Sequence, residues 1–145
     1  MALRSIHAVI SSAMVDVRID TRGVPKGPVY EEGTAVPHRD GLTAPDASDP
    51  TTAAAGVQCA GDRRVRFDID TTGSMNLTAL RVQLLHWNPA AGRYFRGAER
   101  EFTASELAAN PVPSLEGEVR GGTVFLKVVS ATATALALDV YATPS

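Results

Sequence analysis

The large apolar side chains are unevenly spread along this chain of 145 residues. Residues 21–62 hold seven of the 42 apolar residues larger than alanine, but six of the 12 glycines and five of the 9 prolines. Proline fixes the backbone angle φ and removes an amide donor, so the segment disfavours regular helix and sheet. It also has little apolar surface to bury. We therefore predict an extended arm or long loop over residues 21–62, held by its own domain or by neighbouring copies.

Alternation of apolar and charged side chains begins directly after this segment. In Arg64–Asp70 the residues Val65, Phe67 and Ile69 fall on every second position. This is the period of a strand that has one face in solvent. Similar patterns predict further strands at residues 14–20, 80–87 and 93–96, and three more between residues 114 and 143.

The segment Leu80–Trp87 is compatible with two secondary structures. It alternates as a strand does, whereas Leu77, Leu80 and Leu84 would also line one face of a helix. The residues that follow favour the strand, because Asn88–Gly92 has the composition of a compact hairpin loop. Proline suits the second position of a turn, and glycine suits the left-handed residue that closes it.

One short helix is predicted after these strands. Thr103 and Glu106 form a capping-box pattern, and Asn110-Pro111 ends the helix within about two turns. Short strands without regular alternation of helices and strands predict an all-β fold, an antiparallel β-sandwich or jelly roll. We expect its body at residues 63–145, with residues 1–20 joining the same sheet, as one domain overall.

Charge and hydropathy argue against two classes of partner. The chain has 14 Lys and Arg against 16 Asp and Glu, a net charge of -2, and lacks the concentrated positive charge of a nucleic-acid-binding surface. No apolar run approaches the ~18 to 20 residues that a membrane-spanning helix needs. The segment Met1–Met14 is a poor secretory signal because His7 and two serines interrupt it, so we expect a protein made in the cytoplasm.

The motifs of catalysis and of cofactor binding are missing from the sequence. Cys59 is the single cysteine, and the histidines His7, His38 and His86 lie far apart in unrelated contexts. There is no Gly-x-Ser-x-Gly, Walker or dinucleotide-binding pattern. We therefore expect a non-enzymatic protein without catalytic residues or cofactors, in which Cys59 is a small apolar residue.

Acidic residues on two predicted strands raise the question of a metal site. Asp68 and Asp70, together with Asp16 and Asp20, could offer carboxylate oxygens to calcium. Their alternation with apolar residues is typical of the solvated face of a strand, and the glycine-containing loop of a calcium site is missing. We predict no metal site.

Aromatic residues cluster on either side of the predicted hairpin loop. His86-Trp87 precedes the loop and Tyr94-Phe95 follows it. Trp87 and Tyr94 could form a platform on which a sugar or a partner's side chain stacks, or Trp87 could cover an edge of the core. The nearby arginines alternate with glutamates, a pattern that suits ion pairs at a subunit contact. The candidate binding residues are Trp87, Tyr94, His86, Arg93 and Arg96.

Three features together resemble the small virion proteins of tailed bacteriophages: the Pro- and Gly-rich arm at residues 21–62, the strands from Arg64 to Tyr141, and the missing catalytic signature. The resemblance implies a structural protein that binds the capsid, neck or tail surface as decoration, head fibre or attachment protein. Its partners would be copies of itself, as a symmetric homo-oligomer, and the major capsid protein or other virion proteins. It would be located in the virion, after synthesis in the host cytoplasm. The alternative is a carbohydrate-binding β-sandwich of the host-adhesion kind, with a glycan on Trp87 and Tyr94.

Overall fold

Strands dominate residues 33–145, the part of the chain that this computed structural model describes. The strand predicted at residues 14–20 and the first part of the predicted arm lie outside it. Within the described part there are eight strands, one turn of 3-10 helix at Ala53–Ala55 and one α-helix, α1, at Ala104–Ala109. The strands are β1 Val36–Leu42, β2 Val57–Gln58, β3 Arg64–Asp70, β4 Ala79–Asn88, β5 Arg93–Thr103, β6 Ser114–Glu118, β7 Thr123–Thr132 and β8 Leu138–Pro144.

The strands form two antiparallel sheets of four strands each. Sheet 1 has the order β1-β8-β3-β6, and sheet 2 has the order β2-β7-β4-β5. Side chains from the facing strands form one core between the sheets, and each fully buried one stabilises the fold by roughly 1.5–3 kcal/mol. The predicted antiparallel β-sandwich is confirmed. The largest core side chains include Phe67, Ile69, Leu80, Val82, Leu84, Leu126, Val128, Leu138 and Val140.

The helical interpretation of Leu80–Trp87 is wrong, and burial of both faces of β4 explains why the pattern was ambiguous. Leu84 packs in the core between the sheets, whereas Leu85 belongs to a second cluster. Two consecutive buried leucines fit a helical period better than a strict alternation, although they belong to a strand with two buried faces.

Two local predictions are confirmed at the level of single hydrogen bonds. In the hairpin loop the Gly92 N–H donates to the Asn88 carbonyl oxygen at 2.8 Å, and Gly92 has φ of +64°. At the start of α1 the Glu106 N–H donates to Thr103 Oγ1 at 3.3 Å, and the Thr103 N–H donates to Glu106 Oε2 at 2.9 Å. This capping box leads into α1, which ends at Asn110.

Residues 34–62 differ from the extended arm that their composition predicts, because they contribute β1 to sheet 1 and β2 to sheet 2. The residues between these strands are held mainly by polar contacts. Asp46 accepts from the Val128 N–H at 2.9 Å and pairs with Arg39 at 2.7 Å, and Asp49 pairs with Lys127 at 2.6 Å. A count of apolar residues does not register these bonds, so it underestimates how firmly the segment can be held.

The acidic residues of β3 lie among polar partners on the outer face of sheet 1. Asp68 accepts from Arg66 at 3.2 Å, and Asp70 accepts from the Thr72 N–H at 2.9 Å and its hydroxyl at 2.6 Å. Hydrogen bonds from Thr72 lower the pKa of Asp70.

Cys59 is fully buried, and burial raises the pKa of its thiol to about 11, so the thiol is protonated at neutral pH. No helix in residues 33–145 has the length and apolar character needed to span a membrane.

Candidate functional site

The β4–β5 hairpin places the predicted site residues on two opposite faces of sheet 2. In its register Trp87 lies opposite Tyr94, and His86 lies opposite Phe95. Successive residues of a strand point to opposite faces, so these two pairs cannot form one flat platform. The pairs therefore have different environments.

Trp87 and Tyr94 lie on the outer face, away from sheet 1, in a cluster with Leu85 and Phe125 that we call the outer cluster. The Trp87 and Tyr94 rings meet edge to face, with centroids 5.0 Å apart. Tyr94 is only 5% exposed, and its hydroxyl donates to the carbonyl oxygens of Thr52 and Ala53 at 3.1 and 3.2 Å. Burial raises the pKa of this hydroxyl.

The prediction that Tyr94 offers a free stacking face is therefore wrong. The ring is covered by the residues just before β2, which its hydroxyl holds in place. Trp87 is half-buried and keeps part of its surface exposed. The core-covering interpretation of Trp87 is close to what the structure shows, except that the cluster it covers lies outside the sandwich.

Phe95 is the aromatic residue that the hairpin exposes. Its side chain is 42% exposed, although the Arg93 guanidinium lies over the ring at 5.1 Å from the centroid. Phe95 was part of the aromatic cluster read from the sequence but was not assigned as a platform. The alternation along β5 could have identified it, because Tyr94 and Phe95 cannot both face the same way.

A groove of about 420 Å³ lies at the end of the hairpin. Trp87, Asn88 and Phe95 line it from the hairpin, and Arg120 and Gly121 line it from the turn between β6 and β7. Gly121 has φ of +89°, and a Cβ atom there would lie 3.1 Å from the Trp87 carbonyl oxygen. Glycine thus lets this turn approach the hairpin closely, which places Arg120 beside the aromatic residues.

Arg120 was missed by the sequence interpretation. It lies 25 residues after Phe95 in the sequence, and Gly121-Gly122 is identified there only as a turn. The pairing of β7 with β4 brings the two together, because Val124 lies opposite His86. A local pattern carries no signal for such a contact between distant segments.

His86 forms the floor of the groove. Its side chain is 7% exposed, and within the described residues its Nδ1 atom has no hydrogen-bond partner. Burial, with a further contribution from the positive charge of Arg120, lowers the pKa of His86, so the imidazole is neutral at pH 7. A Cβ atom on Gly97 would lie 2.5 Å from His86 Nε2, so glycine is needed where β5 passes the ring.

A second cavity of about 230 Å³ lies between the edge strands β5 and β6. It shares His86 and Arg120 with the groove and is also lined by Leu84, Gly117 and Glu118. The two cavities therefore meet at His86 and Arg120, and among the described residues Glu118 is the one carboxylate in their linings.

Arginines and glutamates along β5 pair within the chain. Arg81 of β4 lies 3.1 Å from Glu101, and Arg100 lies 3.3 Å from Glu106. Arg96 lies 3.8 Å from Asp49 and also lines the groove. The predicted ion pairs at a subunit contact are thus formed between residues of the same chain at these positions.

Comparison with known protein families gives no match, and neither does comparison with curated proteins. Among solved structures, the chain is similar to a carbohydrate-binding module specific for non-crystalline cellulose, determined by X-ray crystallography. The sequence identity is 11%, the match covers 88% of this chain and 76% of that chain, and the TM-score is 0.37. This similarity is too low to transfer a function, which has to be argued from the groove.

Proposed function

We propose that the protein is a non-enzymatic carbohydrate-binding module whose ligand occupies the groove at the end of the β4–β5 hairpin. The observation that carries the proposal is the exposed ring of Phe95 in a groove that Trp87, Asn88, Arg96 and Arg120 also line. Ligand sites typically combine apolar or aromatic walls with a few well-placed polar groups. A sugar ring offers complementary surfaces, since its C–H face is apolar and its edge carries hydroxyl groups.

Hydrogen-bonding groups surround the two aromatic rings. The Asn88 side-chain oxygen accepts from the Ala91 N–H at 3.0 Å, which fixes the side chain and leaves its NH2 group as a donor. Arg96 and Arg120 add further donors, and guanidinium groups bind hydroxyl and anionic oxygens well. These donors lie beside the aromatic surface, where the hydroxyl groups of a stacked sugar would be.

Trp87, one of the two aromatic residues that line the groove, is held in position before any ligand arrives. Trp87 packs edge to face on Tyr94, which in turn packs on Phe125 with ring centroids 6.0 Å apart. The Tyr94 hydroxyl fixes the outer cluster to the backbone of Thr52 and Ala53. A rigid site loses less conformational entropy on binding than a flexible one, which favours affinity for a small ligand.

The lining of the groove favours binding over hydrolysis. Glycoside hydrolases generally use two carboxyl groups, about 5 to 9.5 Å apart, on either side of the bond they cleave. The groove itself is lined by no carboxylate among the described residues, and the adjoining cavity adds only Glu118. This arrangement supports a module that binds a glycan without cleaving it.

The test is glycan-array binding of the full chain, followed by titration of the best glycan against wild type and Phe95→Ala. We expect Phe95→Ala to weaken binding about tenfold, the effect of losing about one aromatic contact. Tyr141→Ala is the matched control, because Tyr141 is 40% exposed on β8 of the other sheet and should not matter. Binding to no glycan, or equal affinity of wild type and Phe95→Ala, would overturn the proposal.

The structural virion role remains a prediction, together with the homo-oligomeric state, the capsid partners and the virion location. Capsid, portal and tail genes beside the coding gene would support it. It is compatible with a glycan-binding groove, since a surface protein of a particle can contact host glycans.

A further inference from the structure

We infer that the ligand of the groove is an anionic glycan, in which a carboxylate or sulfate group binds Arg120 while the sugar ring stacks on Phe95. The inference rests on the proposed function and specifies the class of sugar. The charged residues around the hairpin end are arginines, whereas the chain as a whole has a negative net charge.

Two of the three arginines around the groove have no carboxylate partner among residues 33–145. The groove is lined by Arg96 and Arg120, and Arg93 lies over Phe95. Within residues 33–145, Arg120 and Arg93 form no ion pair. The chain has a net charge of -2, so this positive patch is a local feature and not the result of a basic composition.

Of the five other exposed arginines in residues 33–145, four have a carboxylate partner, and Arg63 is the exception. Arg64 pairs with Glu116 at 2.6 Å, Arg66 with Asp68 at 3.2 Å, and Arg81 with Glu101 at 3.1 Å. The contrast indicates that the groove leaves its cations available for an anion from outside.

Arg96 can also bind a ligand with little loss of ion-pair energy within the protein. Its partner Asp49 lies 3.8 Å away, whereas Lys127 contacts the same carboxylate at 2.6 Å. Asp49 therefore keeps an ion pair when Arg96 leaves. A guanidinium released in this way can form two parallel hydrogen bonds with a carboxylate or sulfate, which a lysine cannot match in geometry.

Glu118 determines in which of the two cavities the anionic substituent of the ligand binds. This residue lines the second cavity beside Arg120 and repels an anion that enters there. Among residues 33–145 no carboxylate lines the groove at the hairpin, so the anionic substituent belongs on the side of Phe95. Arg120 and His86 line both cavities, so the charge of Arg120 lies beside the groove floor.

The experiment measures dissociation constants of the full chain for paired polymers. Polygalacturonate is compared with its carboxyl-reduced product, dextran sulfate with dextran, and polyglutamate serves as a polyanion without sugar. The variants are Arg120→Ala, Arg120→Lys and Phe95→Ala. Arg64→Ala is the control, because it removes an exposed arginine of β3 on the other sheet.

We expect a charged glycan to bind more tightly than its neutral counterpart. Arg120→Ala should weaken this binding about tenfold or more, with Arg120→Lys intermediate and Arg64→Ala unchanged. Phe95→Ala should weaken it as well, because the sugar ring is stacked there. Preference for polygalacturonate would identify a carboxylate, and preference for dextran sulfate would identify a sulfate.

The opposite results separate the two proposals. If only neutral glycans bind, with Phe95→Ala weakened and Arg120→Ala equal to wild type, the anionic ligand is wrong but the carbohydrate-binding function stands. If polyglutamate binds as tightly as any glycan, or Phe95→Ala has no effect on the charged glycans, both are wrong and the patch is a general anion site.

Discussion

The two faces of the β4–β5 hairpin have similar residues and different uses. On the outer face Tyr94 is 5% exposed, and on the other face its neighbour Phe95 is 42% exposed. Both are aromatic and both lie at the hairpin end, so composition does not distinguish them. The difference comes from what covers each face. An aromatic residue is available to a ligand only where the rest of the chain leaves it uncovered.

The cover on the outer face is made by polar contacts to the segment that precedes β2. The Tyr94 hydroxyl holds the carbonyl oxygens of Thr52 and Ala53, and Asp49 holds Lys127 of β7. On the groove face, Phe95 contacts Arg93, whose charge remains free within residues 33–145. We therefore expect the outer face to contribute to stability and the groove face to binding.

The largest expected effect on stability is that of Tyr94→Ala. This change removes a buried ring from the outer cluster and both hydrogen bonds of its hydroxyl, and should lower the free energy of unfolding by about 3–5 kcal/mol. Urea denaturation followed by circular dichroism measures it. Phe95→Ala is the matched variant and should cost less than about 1 kcal/mol. Equal losses for the two variants would remove the distinction between the faces.

A smaller effect is expected from pH, through His38. Its ring packs 4.9 Å from Phe125 of the outer cluster, and its Nε2 atom accepts from the Leu126 N–H at 3.1 Å. Burial is the main cause that lowers the pKa of His38 from 6.5 to about 4. The unfolded chain therefore binds this proton at higher pH, and stability should fall as pH drops from 6.5 to 4.

We expect His38 to account for about 1–3 kcal/mol of this loss. His38→Gln keeps a hydrogen-bond acceptor and does not titrate, so its unfolding free energy should change less between pH 6.5 and 4. The residual slope should come from His86, Asp70 and Glu106, whose pKa values are also lowered in the fold. If His38→Gln and wild type lose stability in parallel over this range, His38 is not held neutral by the outer face.

The smallest expected effect is that of Gly97→Ala, which changes the groove floor. The new Cβ would lie 2.5 Å from His86 Nε2, so the imidazole must move, at a cost of about 1–2 kcal/mol. Thermal unfolding and glycan titration measure the two consequences. Gly122→Ala is the control, because the nearest atom to its Cβ would be 4.0 Å away. If Gly97→Ala has the stability and glycan affinity of wild type, the groove floor accommodates the new Cβ atom and this prediction is wrong.

Local periodicity was sufficient to predict much of this fold. The alternation of Val65, Phe67 and Ile69, the loop Asn88–Gly92 and the capping box at Thr103 each depend on neighbours in the sequence. These features therefore appear in the sequence itself. The helical alternative stayed open because Leu84 and Leu85 are consecutive and both buried, on opposite faces of β4.

The groove could be predicted only in part, because it depends on distant contacts. The sequence identified Trp87 and His86, but Arg120 reaches them through strand pairing and the turn at Gly121. Tyr94 was assigned the role that Phe95 has in the proposal, since nothing in the sequence shows that Thr52 and Ala53 cover one ring. A count of apolar residues does not detect hydrogen bonds of this kind between distant residues.

The tether at Tyr94 has a consequence for engineering. Its hydroxyl binds main-chain carbonyl oxygens, so the side chains at Thr52 and Ala53 take no part in the attachment. Exposed positions of this segment, such as Thr51 and Thr52, can therefore be randomised while the backbone stays docked. A library built on them would vary the surface beside Tyr94 on an unchanged scaffold, as antibody loops vary on a constant framework.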